Sequence, residues 1–266
     1  MCLTNKLTVE LQSKFKISWD PIHHRIRCQG HVLNLTAHAF LYATKDEALE
    51  GDDNPRITQT PDQMKTWREE GPLGKLHNIN TWIFGSPQRL EVFELIAGRR
   101  IPRDNATRWN SWQMQIEVAL KLRAEIDRYI RTYGKEDPEA RIHEDILTDE
   151  DWNILSKIND TLAILKQTTK SLENSFTSLS MVMPAMELIM GHFECQRTSA
   201  DSTMAPLYQA GWEKMMKYYR GTDDSPVYAA AQVLHPLYKW EHIEESWEKS
   251  WVTKAKVYIA LIGALS

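Results

Sequence analysis

Apolar residues recur every three or four positions along most of this chain, and that spacing predicts one helix after another. Leu3, Leu7, Leu11 and Phe15 fall on one face of a short amphipathic helix. Ser18-Trp19-Asp20-Pro21 ends it, because proline disfavours helix in the residue before it. His24 to Cys28 instead alternates polar and apolar side chains and reads as a short strand. From His31, the positions Val32, Leu35, Ala39 and Tyr42 resume helical spacing as far as Ala43. Asp46 to Pro61 is polar and rich in turn residues, the pattern of a loop.

Gln63 to Glu70 reads as a short helix that stops at Gly71-Pro72, and Leu73 to Phe84 mixes apolar and polar positions without a clear period. Ser86 is a good N-cap with Pro87 in the first turn, and that helix reaches Ile96 before Gly98 stops it. Ser111 to Tyr133 is the strongest amphipathic segment, with Trp112, Ile116, Ala119, Ile126 and Ile130 on one face. Thr148 to Asp151 supplies an acidic helix start, where the helix dipole favours negative charge. Beyond it, Leu155, Ile158, Leu162, Leu165 and Leu172 form a core face too short for a coiled coil. Ser180 to Phe193 reads as a Met-rich helix interrupted early by Pro184, and Gln196 to Met204 as a flexible link. Pro206 to Tyr219, the apolar run Val227 to Leu234, and Glu241 to Ala264 complete the helices. The fold class expected is mainly α, with at most a little β near the start.

Bulk properties narrow the function. At 266 residues the chain holds one large domain or two ordinary ones, and 42% hydrophobic with 26% charged residues is the balance of a soluble globular protein. No run of about 18 apolar residues marks a membrane span, and the first residues lack the apolar stretch of a secretory signal. Three scattered cysteines, Cys2, Cys28 and Cys195, fit a reducing intracellular compartment rather than a disulfide framework. The net charge of −4 requires any DNA contact to use a local patch. Two local excesses stand out. His23, His24, Arg25 and Arg27 form one; Arg99, Arg100, Arg103 and Arg108, diluted by Asp104, form the other. Solvated surface arginines are the equally weighted plain reading.

Two short stretches carry more specific information. Cys28-x-x-His31 resembles half a zinc site, but a structural zinc needs four ligands and no second pair stands nearby. A buried cysteine beside a helix-start histidine is the plain reading. Thr107-Arg108-Trp109-Asn110-Ser111 joins a phosphate-pairing guanidinium to an indole face that accepts any base. A core tryptophan at a helix start is the plain reading there. In this order, Arg25-Ile26-Arg27-Cys28-Gln29-Gly30-His31-Val32-Leu33-Asn34-Leu35 and Asp104-Asn105-Ala106-Thr107-Arg108-Trp109-Asn110-Ser111 resemble the hAT superfamily of DNA transposases, especially fungal copies. Asp151 to Phe193 and the segment Tyr228 to Lys239 extend the resemblance more weakly over almost the whole chain, with His235 where the family more often has Asp.

The resemblance implies a fold and a set of roles. A strand of the family's ribonuclease H-like core ends in the Cys-x-x-His motif, whose histidine lies beside the active site and is implicated in contacts to the DNA strand end. The family's tryptophan stacks on a displaced base. Two Asp and one Glu hold two divalent ions, magnesium or manganese, for attack on phosphodiester bonds. No acid of this chain aligns with those three, and Asp20, Asp104 and Asp149 read as turn and capping residues. The expectation is therefore an internal transposase fragment, not an enzyme and without a cofactor of its own. Residues 1–43 would be a remnant (one helix, one strand) of the ribonuclease H-like core, and residues 44–266 the helical insertion domain, with a subdivision near 196–205. DNA binding is expected through Arg25, Arg27, Cys28, His31, Arg108 and Trp109, in the nucleus, with related transposase chains as oligomer partners and neither a membrane nor a small-molecule substrate. The alternative is a protein-interaction module or domesticated regulator derived from a transposase.

Overall fold

The computed structural model describes residues 9, 11–15, 26–42, 61–103, 109–135, 140–173 and 178–263. Among them the protein is mainly helical and has no strand. The helices are α1 (Gln29–Leu41), α2 (Pro61–Glu69), α3 (Pro72–Phe84), α4 (Pro87–Ala97), α5 (Trp109–Lys121), α6 (Arg123–Tyr133), α7 (Asp149–Leu172), α8 (Val182–Ser199), α9 (Ala205–Arg220), α10 (Pro226–Val233), α11 (Lys239–Ser246) and α12 (Lys249–Gly263). Leu11–Phe15 is a π-helical turn, and 3-10 turns occur at Ile142–Asp145, Leu179–Met181 and Gly221–Asp224. The chain divides into two compact units. The first comprises Met1–Thr36, Thr168–Ser199 and Tyr208–Ser266; the second comprises Ala37–Gln167 and Ala200–Leu207. The domain boundary expected at residue 43 lies outside the described residues.

The second unit is organised around α3. Leu73, Leu76, Ile79, Trp82 and Ile83 are buried, but so are His77, Asn78, Asn80 and Thr81. A helix surrounded on all sides shows no amphipathic stripe, which explains why Leu73 to Phe84 has no readable period. Gly71-Pro72 begins this helix rather than merely ending α2, since Pro72 occupies its first turn, where an N–H would find no partner. Gly74 sits where α3 meets α2, and a methyl group there would overlap the backbone carbonyl of Trp67. A ring cluster of Trp67, His77 and Trp112 fills the space alongside, with centroids 4.5–6.1 Å apart.

A buried ion pair fastens three elements of this unit together. Arg68 on α2 donates from Nε and Nη2 to the two oxygens of Asp145 at 3.0 and 2.6 Å, and from Nη1 to Glu144 at 2.9 Å. Asn78 on α3 donates to Asp145 at 3.0 Å and to the Met64 carbonyl at 2.7 Å. Asp145 has no exposed surface, and burial holds its carboxyl above the usual carboxylate range despite the Arg68 and Asn78 hydrogen bonds. Nearby, Thr148 and Asp151 close a reciprocal cap at the start of α7. The Thr148 N–H donates to Asp151 Oδ2 at 2.8 Å, and the Asp151 N–H donates to Thr148 Oγ1 at 3.1 Å. Burial raises the Asp151 carboxyl, but Lys75 at 2.7 Å and the two Thr148 donors outweigh it and hold the group below its usual value.

In the first unit, α8 and α9 cross at Gly211, where an added methyl would stand 2.6 Å from the fully buried ring of Phe193. Glu187 on α8 accepts the Tyr219 hydroxyl at 2.7 Å and the Trp247 indole N–H at 3.1 Å. Burial and the Glu187 carboxylate push the Tyr219 phenol well above its ordinary value.

Several sequence expectations hold. Ser86 accepts the Arg89 N–H as N-cap of α4, and α1 and α9 occupy the predicted segments. Others are corrected. The part of the expected strand that is described, Ile26 to Cys28, has no ladder, and the Arg27 N–H donates to the Tyr228 hydroxyl at 3.0 Å instead. Ser111 to Tyr133 is two helices, parted at Leu122, whose ψ of 21° leaves the helical region. The last predicted helix is also two, because Trp247 turns extended (φ −104°, ψ 156°) where its indole engages Glu187. Pro184 lies in the first turn of α8 and interrupts nothing. The expected link at Gln196 to Met204 is the end of α8 followed by a turn in which Asp201 accepts the Thr203 and Met204 N–H groups at 3.0 and 2.9 Å.

Two measurements check this account. Gly74→Ala and Gly211→Ala should each lower stability in urea titrations by about 1–3 kcal/mol or more, the overpacking range, with Gly74→Ala the worse because it meets backbone rather than a side chain. In carboxyl-detected NMR titrations, Asp145 should titrate above and Asp151 below the ordinary aspartate value of about 3.9. A depressed folded-state value means that the stability contributed by Asp151 is present above about pH 3.9 and is lost as pH falls through its own pKa. Asp151→Asn should remove that acid-side loss.

Candidate nucleic-acid interface

The Cys-x-x-His stretch forms the entrance to α1. Cys28 occupies the N-cap position, its carbonyl accepting the Val32 N–H at 3.2 Å. Arg27, Cys28 and His31 are all exposed, and Cys28 is a free thiol. Arg27 does not project freely. Its backbone is tied to Tyr228, a residue only 4% exposed, and its guanidinium carbon lies 5.4 Å from the centroid of the Tyr218 ring. Its Nε would stand 3.9 Å from a methyl placed on Gly221. Arg27 therefore sits at the C-terminal end of α9, where the helix dipole favours cations. The last turn of that helix carries Lys217 and Arg220, both exposed.

Three cations and an aromatic face thus share one end of the first unit: Arg27, Lys217, Arg220 and Tyr218. The acids that follow, Asp223 and Asp224, limit the patch; Asp223 is itself 3.5 Å from Lys254. Lys217, Tyr218 and Arg220 do not stand out in the sequence, and Tyr228 does so only as the start of a segment of weaker resemblance. The Arg27–Tyr228 hydrogen bond joins residues 201 positions apart, a separation that no periodicity reveals. Arg25 lies outside the described residues.

The second basic group is in the other unit, and two of its three described members are engaged. Arg100 donates from Nη2 to Glu94 at 3.1 Å, and this hydrogen bond holds the Glu94 carboxyl below its usual value. Arg103 lies over Phe84 at 5.4 Å, and Arg99 is exposed. Arg108 lies outside the described residues. Trp109 opens α5 at 3% exposure, so its ring belongs to the core and presents no face to solvent. Among the described residues, no three His, Cys, Asp or Glu side chains converge as a metal site. None of the described helices is long and apolar enough to cross a membrane.

Comparison with known proteins adds one distant relative. The chain is 26% identical over 264 residues to a protein of Talaromyces stipitatus titled "Putative transcriptional regulator tpeD". The match takes in 94% of this chain but only 28% of that protein. No family profile matches the chain, and no solved structure matches it.

The burial of Trp109 yields a direct prediction. Trp109→Ala should destabilise the protein by about 3–5 kcal/mol in chemical denaturation, as expected for a large aromatic removed from a core. Any loss of DNA affinity that accompanies it should not discriminate between paired and unpaired DNA.

Proposed function

We propose that this chain is a segment of hAT-transposase ancestry that binds DNA in the nucleus and does not cut it. The observation that carries the reading is the exposed cluster of Arg27, Lys217 and Arg220 around Tyr218. It gathers positive charge in a chain whose net charge is −4, and phosphate neutralisation dominates DNA affinity. The cluster's Arg27 immediately precedes the Cys-x-x-His stretch that resembles the family's DNA-end contact, whose His31 lies in the first turn of α1. Support of another kind comes from the Talaromyces relative, which carries the name "Putative transcriptional regulator tpeD" and of which the chain matches 28%. The absence of cutting rests on the resemblance: no acid of this chain aligns with the family's three metal carboxylates, and the two buried acids Asp145 and Asp151 are already paired with Arg68 and Lys75.

A second reading, an interaction module that joins related chains, is favoured by Leu234 and Leu237, which are 81% and 85% exposed in the turn between α10 and α11. Exposed apolar groups of this kind mark contact surfaces when they cluster. Light scattering separates the two readings. Concentration-dependent assembly abolished by Leu237→Asp belongs to the module, and a monomer that binds DNA belongs to the first.

Fluorescence anisotropy with duplex DNA at two salt concentrations tests the DNA reading. Log affinity should fall linearly with log salt, and Arg27→Ala, Lys217→Ala and Arg220→Ala should each reduce that slope by about 1. Absence of binding at low salt, or a slope unchanged in all three variants, defeats the proposal.

A further inference from the structure

At the end of α9 the parts of the basic cluster have a definite order. Arg220 keeps a helical backbone (φ −58°, ψ −34°), so the chain continues its helical path into Gly221. Lys217 and Tyr218 stand one turn earlier, at the i−4 and i−3 positions, and border that glycine on the helix surface. Gly221 puts no side chain between them. Arg27 crosses the gap, with Nε 3.9 Å from where a Cβ would stand on Gly221 and its guanidinium carbon 5.4 Å from the centroid of the Tyr218 ring. We infer that Arg27 and Tyr218 form a stacking platform for an unpaired base, so that this site takes single-stranded DNA in preference to duplex. The inference rests on the DNA reading and specifies the form of DNA.

The pair itself supplies the first argument. A guanidinium is planar and weakly hydrated, and it lies against aromatic faces. Nucleic-acid bases stack on aromatic rings and on guanidinium planes alike. The Tyr218 ring is half-buried and Arg27 is exposed, so the pair offers a flat surface supported from beneath. Arg27 is also anchored before any ligand arrives, because its N–H donates to the Tyr228 hydroxyl at 3.0 Å and Tyr228 is only 4% exposed. A group ordered in advance loses less entropy on binding.

Charge then determines the polymer. Lys217 and Arg220 are exposed and supply cations for backbone phosphates, while Asp223 and Asp224 follow within four residues. A rigid duplex brings a second line of phosphates towards those acids; a flexible single strand can lay its phosphates on the cations alone. In a duplex, moreover, the bases already stack on one another and none is offered to Arg27 and Tyr218. An acidic peptide or a lone phosphate would answer the cations and leave the ring pair unused. A strand with unpaired bases uses both.

Fluorescence anisotropy on the whole chain tests this with three probes. One is a labelled single strand of about 12 nucleotides, within the usual span of single-strand sites. The second is that strand paired with its complement, and the third is that strand with abasic sites throughout, which keeps the phosphates and has no base to stack. The single strand should bind at least about tenfold more tightly than either comparator, within the range for one stacked base. Tyr218→Ala should remove this advantage while duplex and abasic affinities stay within about twofold, since their phosphate contacts are unchanged. Tyr218→Phe should keep the advantage. Arg27→Lys should keep the salt dependence but lose part of the advantage, because an ammonium has no plane. The abasic comparison needs no variant, so it decides even where a substitution disturbs folding. Equal binding of single strand and duplex overturns the inference, as does equal binding of the single and abasic strands, or a Tyr218→Ala loss shared alike by all three probes. In those cases salt-dependent duplex binding still upholds the DNA reading, whereas failure of every probe to bind at low salt defeats both.

Discussion

Asp145 is a carboxylate with no solvent contact, and the second unit is built around answering it. Removing such a charge from water is unfavourable by several kcal/mol unless geometry and additional hydrogen bonds compensate. Here the compensation is a two-point guanidinium contact plus an amide donor, drawn from two helices. Apolar packing tolerates small sliding of one helix on another; a forked hydrogen bond does not. The pair therefore fixes the register of α2 against the Ile142–Asp145 turn, and Asn78 extends that register to α3. The close approach at Gly74 and the ring cluster of Trp67, His77 and Trp112 lie within the same arrangement.

Much of the helical framework was legible in the sequence because most helices bury one stripe and leave another in water. The caps at Ser86 and Thr148 were legible for the same local reason: a cap is written within four residues. What escaped was set by distant partners. Leu73 to Phe84 hid its helix by being buried all round. Trp247 broke the last helix where its indole meets a carboxylate 60 positions earlier, and nothing in Glu241 to Ala264 announces that. The same limit explains the strand expected at His24 to Cys28, since alternation predicts an extended backbone but cannot supply the neighbouring strand that makes a ladder.

The candidate interface divides along similar lines. Arg27, Cys28 and His31 were found from one local motif and remain together at the entrance to α1. Their neighbours Lys217, Tyr218 and Arg220 come from the far end of another helix and could be recognised only once the chain was folded. Trp109 shows the converse. Its motif was conspicuous, yet an indole is as well suited to a core as to a base, and its 3% exposure gives it the core role. Arg100 and Arg103 are likewise occupied by Glu94 and Phe84, so charge counted along the sequence overstates the charge on offer at that surface.

Cys28 and Cys195 are both exposed free thiols, and both belong to the first unit. Two accessible sulfurs on one molecule are sufficient to link molecules into chains rather than only into pairs. In air-oxidised preparations, covalent polymers would imitate self-association, and a reductant would dissolve them while leaving a true non-covalent assembly intact. Cys28 also adjoins Arg27 at the head of α1.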